Sequence, residues 1–134
     1  TADNSFQVTP KNPLINLELT ETIQRNVTSS RLQVDLTYSS NLATDLYLGF
    51  LNRKTNDFIM IGRDGELNSL NTIVKYRAHS TAEALNTSTV INLVFEPNDV
   101  LGLTLDFYAI VVSKDTSVID LVNWLSSSKI NINF

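Results

Sequence analysis

Leu101-Gly102-Leu103-Thr104-Leu105-Asp106-Phe107-Tyr108-Ala109-Ile110-Val111-Val112 is the stretch on which the fold turns. Leu103, Leu105, Phe107, Ala109 and Val111 stand two apart, so they share one face of an extended chain. No 3.6-residue helical stripe accounts for that spacing. Its second half, Phe107–Val112, is the longest unbroken apolar run of the chain.

The same period-two signature recurs along the chain. Between Leu14 and Ile23, Ile15, Leu17, Leu19 and Ile23 are apolar, while Asn16, Glu18, Thr20 and Thr22 are polar. Leu32, Val34, Leu36 and Tyr38 alternate with Arg31, Gln33, Asp35 and Thr37. Leu46–Leu51 and Phe58–Ile61 are apolar on both faces, and Ile73–Ala78, Val90–Phe95 and Ile130–Phe134 add further strands. About eight strands with one or two short helices predict an all-β, single-domain β-sandwich of jelly-roll or Greek-key type. Residues 14–134 form the sandwich in this reading, and residues 1–13 form an extended N-terminal arm. The predicted core holds Leu17, Leu19, Val34, Leu36, Leu48, Phe50, Leu93, Leu103, Leu105 and Phe107.

Turn chemistry marks the breaks. Asp64-Gly65 predicts a two-residue type I′ hairpin turn, in which both central residues take positive φ. Asn52–Asn56 is a polar loop, and Pro97-Asn98-Asp99 separates two strands, with Pro97 pre-setting φ for a turn. Ser80-Thr81-Ala82-Glu83 has the form of a capping box for a short helix. A second helix is expected over Ser117–Leu125, where Val118, Leu121, Val122 and Leu125 recur at helical spacing behind Ser117.

Composition narrows the function classes. Only 18% of the 134 residues are charged, below the usual figure of about 25%. Asn, Ser and Thr supply the polarity, with 15, 13 and 14 copies respectively. A net charge of −4 argues against nucleic acid or an anionic membrane as partner. The longest apolar run, Phe107–Val112, falls far short of the ~20 residues of a transmembrane helix. With no Cys and one His, disulfide scaffolds, thiol catalysis and two-His metal sites are excluded within the chain. The chain opens on Thr1 with no signal-like segment, as expected either of a mature form after signal removal or of an artificial boundary. An Asn/Ser/Thr surface is expected of an extracellular or cell-surface module. The two sequons, Asn26-Val27-Thr28 and Asn86-Thr87-Ser88, are no more than chance supplies in so Asn-rich a chain.

Four runs carry a resemblance: Asp45–Phe50, Phe58–Gly62 with Asp64-Gly65, Leu103–Ala109, and Asn123-Trp124-Leu125-Ser126. Over residues 45–134 the chain resembles a β-rich module found at the ends of bacterial secreted proteins. That resemblance implies a sandwich on the cell exterior and supplies no functional residues.

Residues able to carry chemistry are few. A Ser-His-Asp triad would need His79, which the sequence places in an exposed polar loop, and no Gly-x-Ser-x-Gly elbow occurs. Asp57, Asp64 and Glu66 flank one hairpin as paired acids do, yet turn chemistry explains the Asp of Asp-Gly. The same three with Asn98 and Asp99 are oxygen ligands on loops, which leaves structural calcium open without an EF-hand pattern. No other cofactor is expected, and no catalytic residue is assigned. For a sugar platform the aromatics are Trp124, Tyr38, Tyr47, Tyr76 and Tyr108. Trp124 is expected in the core, whereas Tyr47 and Tyr108 lie opposite the apolar face of their strands and are the better ligand contacts.

The function expected on these grounds is non-catalytic: an extracellular structural or adhesive subunit, assembling into oligomers or filaments through strand-mediated contacts. Phe6 and Val8 alternate with polar neighbours in the arm, where Pro10 and Pro13 interrupt pairing. They are positioned to add to a neighbour's sheet edge, with an edge strand of the same subunit as the alternative. Ile130, Ile132 and Phe134 are the expected contacts at the other end. The rival reading is a carbohydrate-binding module of a secreted protein, with polysaccharide as partner.

Overall fold

The computed structural model describes residues 15–26, 28–40, 43–79, 86–100 and 102–133. Two antiparallel sheets face each other. Strands β1 (Ile15–Arg25), β2 (Ser30–Ser40) and β6 (Asn86–Phe95) form one, in the order β1-β2-β6. The other runs β4 (Asp57–Met60), β3 (Thr44–Asn52), β7 (Thr104–Ser113), β8 (Trp124–Asn133), with β5 (Arg77–His79) also paired to β3. The chain is therefore an all-β sandwich, as its alternation predicts.

Period two places one large side chain after another between the sheets. Leu17, Leu32, Val34 and Leu36 from the first sheet meet Leu46, Leu48, Phe50, Phe107, Ala109 and Val111 from the second. Phe50 and Phe107 are direct cross-strand partners, their rings edge to face with centroids 4.8 Å apart. Edge-to-face packing sets the positive rim of one ring against the negative face of the other. Of the predicted core, Leu17, Val34, Leu36, Leu48, Phe50 and Phe107 are buried, and Leu19, Leu93 and Leu105 are partly buried against them. Leu103 precedes β7 and stays half-exposed outside the cluster, because the strand starts one residue later at Thr104.

One side of β3 is shared by several partners. Residues 49–52 pair with β4 and residues 44–46 with β5. Between them the Leu48 carbonyl accepts from Ile61 N–H and the Leu46 carbonyl from Tyr76 N–H, each at 2.9 Å. The long excursion from Ile61 to Tyr76 is pinned at both ends by these bonds. Strand structure begins only at Arg77, not at Ile73 as alternation suggests, because the chain returns to β3 there. His79 accordingly belongs to a strand, paired with Thr44, and not to a loop.

The turn between Gly62 and Glu66 also differs from expectation. Gly65 N–H donates to the Gly62 carbonyl at 2.9 Å, and Gly62 N–H to the Glu66 carbonyl at 2.8 Å. The centre is Arg63-Asp64, and positive φ falls on Gly65 alone, at 83°. A three-residue loop with glycine in the left-handed position replaces the two-residue type I′ turn. Pro97–Val100 forms a single helical turn at the expected break.

The predicted helix over Ser117–Leu125 is absent. Only Leu121–Asn123 make a 3-10 turn, capped by the Asp120 carboxylate accepting from Val122 N–H, and β8 already begins at Trp124. A register shift puts Val111 opposite Ser126 but Val112 opposite Trp124, so Leu125 is the extra residue of a bulge. The bulge packs Leu125 against the main core while Trp124 joins the opposite face. Two side chains that look like neighbours on a helix thus serve two layers. The capping-box segment Ser80–Glu83, the arm with Phe6 and Val8, and Phe134 lie outside the described residues.

Candidate functional site: the outer face of the five-stranded sheet

Residues that alternate with the core on β3 and β7 point away from the three-stranded sheet. On β3 they are Asp45, Tyr47 and Gly49, and on β7 Asp106, Tyr108, Ile110 and Val112, with Trp124 and Asn131 from β8. Such a face is ordinarily solvated. Here Tyr47, Ile110, Val112 and Val118 make a second buried cluster, with Met60, Tyr108 and Trp124 packed around it. Val118 comes from the β7–β8 loop, which folds back over the sheet. The Trp124 indole N–H locks that loop by donating to the Val118 carbonyl at 2.7 Å. Gly49 keeps the centre of the face thin, since a Cβ there would stand 3.0 Å from the Ile59 carbonyl oxygen.

This packing corrects the expected ligand contacts. Tyr47 is only 5% exposed and is not a surface platform. Tyr108 is half-buried beside it. Burial, first of all, raises the ionisation of Tyr47 above the ordinary phenol value, with smaller opposing effects of Lys75 and Asp45. Burial also leads the upward shift at Tyr108, reinforced by the Asp106 charge and opposed by Arg53. Tyr38 is buried in the main core, with its hydroxyl 2.5 Å from Thr44 Oγ1, and Tyr76 packs against the same core. Trp124 is partly buried, in the second cluster and not on a helix.

Two buried carboxylates, which the alternation pattern alone does not single out as a site, stand at opposite ends of this face. Asp106 is 1% exposed. Its Oδ1 accepts from Asn131 Nδ2 at 2.9 Å, and Arg53 Nε from the β3–β4 turn stands 3.3 Å from its Oδ2. Asp45 is wholly buried, and its Oδ2 accepts from Asp115 N–H at 2.9 Å and faces Lys75 Nζ at 2.9 Å. Among the described residues Asp45 Oδ1 has no hydrogen-bond partner. Asp115 holds the left-handed conformation, φ 63°, in the turn after β7, and its own Oδ1 lies 3.8 Å from Lys75 Nζ. Buried charges persist where they are paired. In sequence Asp45 stands just before the apolar run Leu46–Leu51 and Asp106 just before Phe107–Val112.

The hairpin acids are otherwise engaged. Asp57 Oδ1 accepts from Asn71 Nδ2 at 3.1 Å, and Glu66 Oε1 accepts from Asp64 N–H at 3.0 Å. Asn98 and Asp99 are exposed in the helical turn on the other sheet's connection. Among the described residues, no three His, Asp or Glu side chains gather as a metal site would require. Ile132 is fully buried and Ile130 packs against the core, so both side chains serve their own subunit. The two sheets are nevertheless bounded by long edge strands. Among the described residues β6 is hydrogen-bonded in a ladder to β2 and β8 to β7. No helix among those residues is long and apolar enough to cross a membrane.

No protein-family model matches the chain, and the searches of curated proteins and of solved structures likewise returned no match.

Proposed function

We propose that the protein is a non-catalytic, extracellular structural subunit that self-associates through strand addition at the edges of its sandwich. The observation that carries this reading is β6, an edge strand of ten residues, Asn86–Phe95, with no charge and no proline. Natural edge strands are commonly blunted by lysine, proline, bulges or brevity, because a row of backbone donors and acceptors recruits other chains. Among the described residues the protection on β6 is one bulge near Val90, and Val94 is 63% exposed. β8 is as long and carries a single charge, Lys129, but it lies beside β1, where Arg25 Nη2 donates to the Asn133 carbonyl, so β6 is the edge offered for addition. The donor is the arm, in which Phe6 and Val8 supply alternate side chains while the main chain supplies the hydrogen bonds.

The sugar-binding reading is weakened by the closure of its face, since Tyr47 is buried beneath Val118. Removal of residues 1–13, and separately Val94→Lys on β6, tests the proposal by size-exclusion chromatography with light scattering and by electron microscopy. Each change is expected to convert an assembling protein into a folded monomer. A full-length chain that stays monomeric at high concentration and is retained on polysaccharide contradicts strand-mediated assembly and restores the carbohydrate module.

A further inference from the structure

The Asp45, Lys75 and Asp115 constellation carries more than an ion pair requires. Lys75 Nζ stands 2.9 Å from Asp45 Oδ2, and the carboxylate it faces is fully buried. The Asp115 carboxylate lies 3.8 Å from the same nitrogen, while Asp115 N–H holds Asp45 Oδ2 at 2.9 Å. Asp45 Oδ1 is buried and has no hydrogen-bond partner among the described residues. The left-handed turn conformation at φ 63°, which Asp tolerates, brings both Asp115 groups to this point. An amine, a buried carboxyl, a backbone donor on one of its oxygens and a second carboxylate at the amine are the parts of an amide-forming site. We propose that Lys75 and Asp45 join in an intramolecular isopeptide bond, with Asp115 as the proton shuttle.

The balance closes without any co-reactant. Lys75 enters as the ammonium and Asp45 as the carboxylate. Asp115 relays a proton from Nζ to Asp45 Oδ1, so that a free amine faces a neutral carboxyl, and the amine pair attacks the carboxyl carbon to form the N–C bond. Charge gathers on Oδ2, where Asp115 N–H already donates, as in an oxyanion hole. A second Nζ proton then passes through Asp115 to Oδ1, the C–Oδ1 bond breaks, and Oδ1 leaves as water. The products are one neutral amide and one water, with Asp115 restored. Condensation between free groups in water is unfavourable, but fixing the pair in one site gives effective molarities of roughly 10⁵–10⁸ M. The product also removes a charge pair from a buried position, where charge is costly to hold. Covalently, the bond ties the far end of the Ile61–Tyr76 excursion to β3, beside the weakly paired β5.

Intact-mass spectrometry of the folded full-length protein tests this directly and does not depend on the functional reading. The expected mass is the sequence mass less one water. Peptide mapping is expected to join the peptide containing Asp45 to the one containing Lys75. Lys75→Arg keeps a cation on Asp45, and so the fold, but should have its full sequence mass. Asp115→Asn should form the bond more slowly by roughly a hundredfold or more, the usual weight of a positioned acid–base group. A folded protein that retains its full mass after prolonged incubation overturns the proposal. So does a water loss that maps to the Asp64-Gly65 turn as a succinimide.

Discussion

On its inner face the five-stranded sheet meets three more strands, and on its outer face it meets a loop. The inner cluster is assembled from alternating residues whose partners are set by strand register, from Leu32 and Val34 across to Leu48 and Phe107. The outer cluster of Tyr47, Ile110, Val112 and Val118 depends on a ten-residue connection returning over the sheet, held by the indole hydrogen bond, by Asp115 N–H on Asp45, by Asn123 Nδ2 on the Ser117 carbonyl and by one 3-10 turn. Both faces bury a hydrophobic cluster. Regular alternation closes the first, while particular contacts made by a few residues close the second, so the second is the smaller store of stability.

The largest consequence belongs to the inner face. Phe107→Ala is expected to lower stability by roughly 3–5 kcal/mol, from lost transfer energy and the cavity left behind. Urea unfolding followed by circular dichroism measures it. Val118→Ala removes two methylenes from the outer cover and should cost about 1–2 kcal/mol at ~0.8 kcal/mol each. A shift in Trp124 fluorescence should accompany that change, because Trp124 is bonded to the residue 118 carbonyl. If Val118→Ala costs as much as Phe107→Ala, the two faces are not unequal.

The period of the inner face is visible in sequence because strand and core share it. Six of ten named core residues are buried, and Leu103 is lost only because β7 begins one residue after it. That both faces of Leu46–Leu51 are apolar signals a covered outer face, but nothing in the spacing of Tyr47 and Tyr108 announces that the cover is a loop arriving from residue 118. Val118, Leu121, Val122 and Leu125 imitate a helical stripe, yet each goes elsewhere. Val118 caps the outer cluster, Leu121 and Val122 face solvent, and Leu125 turns inward on a bulge. Bulges and tertiary returns leave no periodic mark. Asp45 and Asp106 were legible only as charges just before apolar runs, and their partners Lys75 and Arg53 come from excursions whose path alternation does not encode.

The tyrosines give the comparison a titration. Both Tyr47 and Tyr108 are neutral in the folded and unfolded chain near neutral pH, so their raised values add nothing there. Above about pH 10 the unfolded chain ionises first, and proton release then favours unfolding. Stability should therefore fall as the pH rises past that point toward the folded values. Ultraviolet titration should show phenols ionising late, and Tyr47→Phe and Tyr108→Phe should each remove part of the late phase. Tyrosines that all titrate at the ordinary value would mean that the loop does not close the face.

The smallest effect is expected where a helix would have given a large one. Val122 is 81% exposed and Leu121 is also exposed. Leu121→Ser and Val122→Ser should each change stability by no more than about 0.5 kcal/mol, as surface substitutions do. A loss of several times that size would put these residues in a core and restore the helix.

Hydrogen–deuterium exchange across a concentration series sets closed faces against exposed edges in one experiment. As concentration rises, peptides from β6, residues 86–95, are expected to exchange more slowly. Peptides from β3 and β7, residues 44–52 and 104–113, are expected to be well protected throughout and insensitive both to concentration and to added polysaccharide. Exchange in β6 that ignores concentration, with new protection of β3 and β7 on adding polysaccharide, would contradict assembly through the edges.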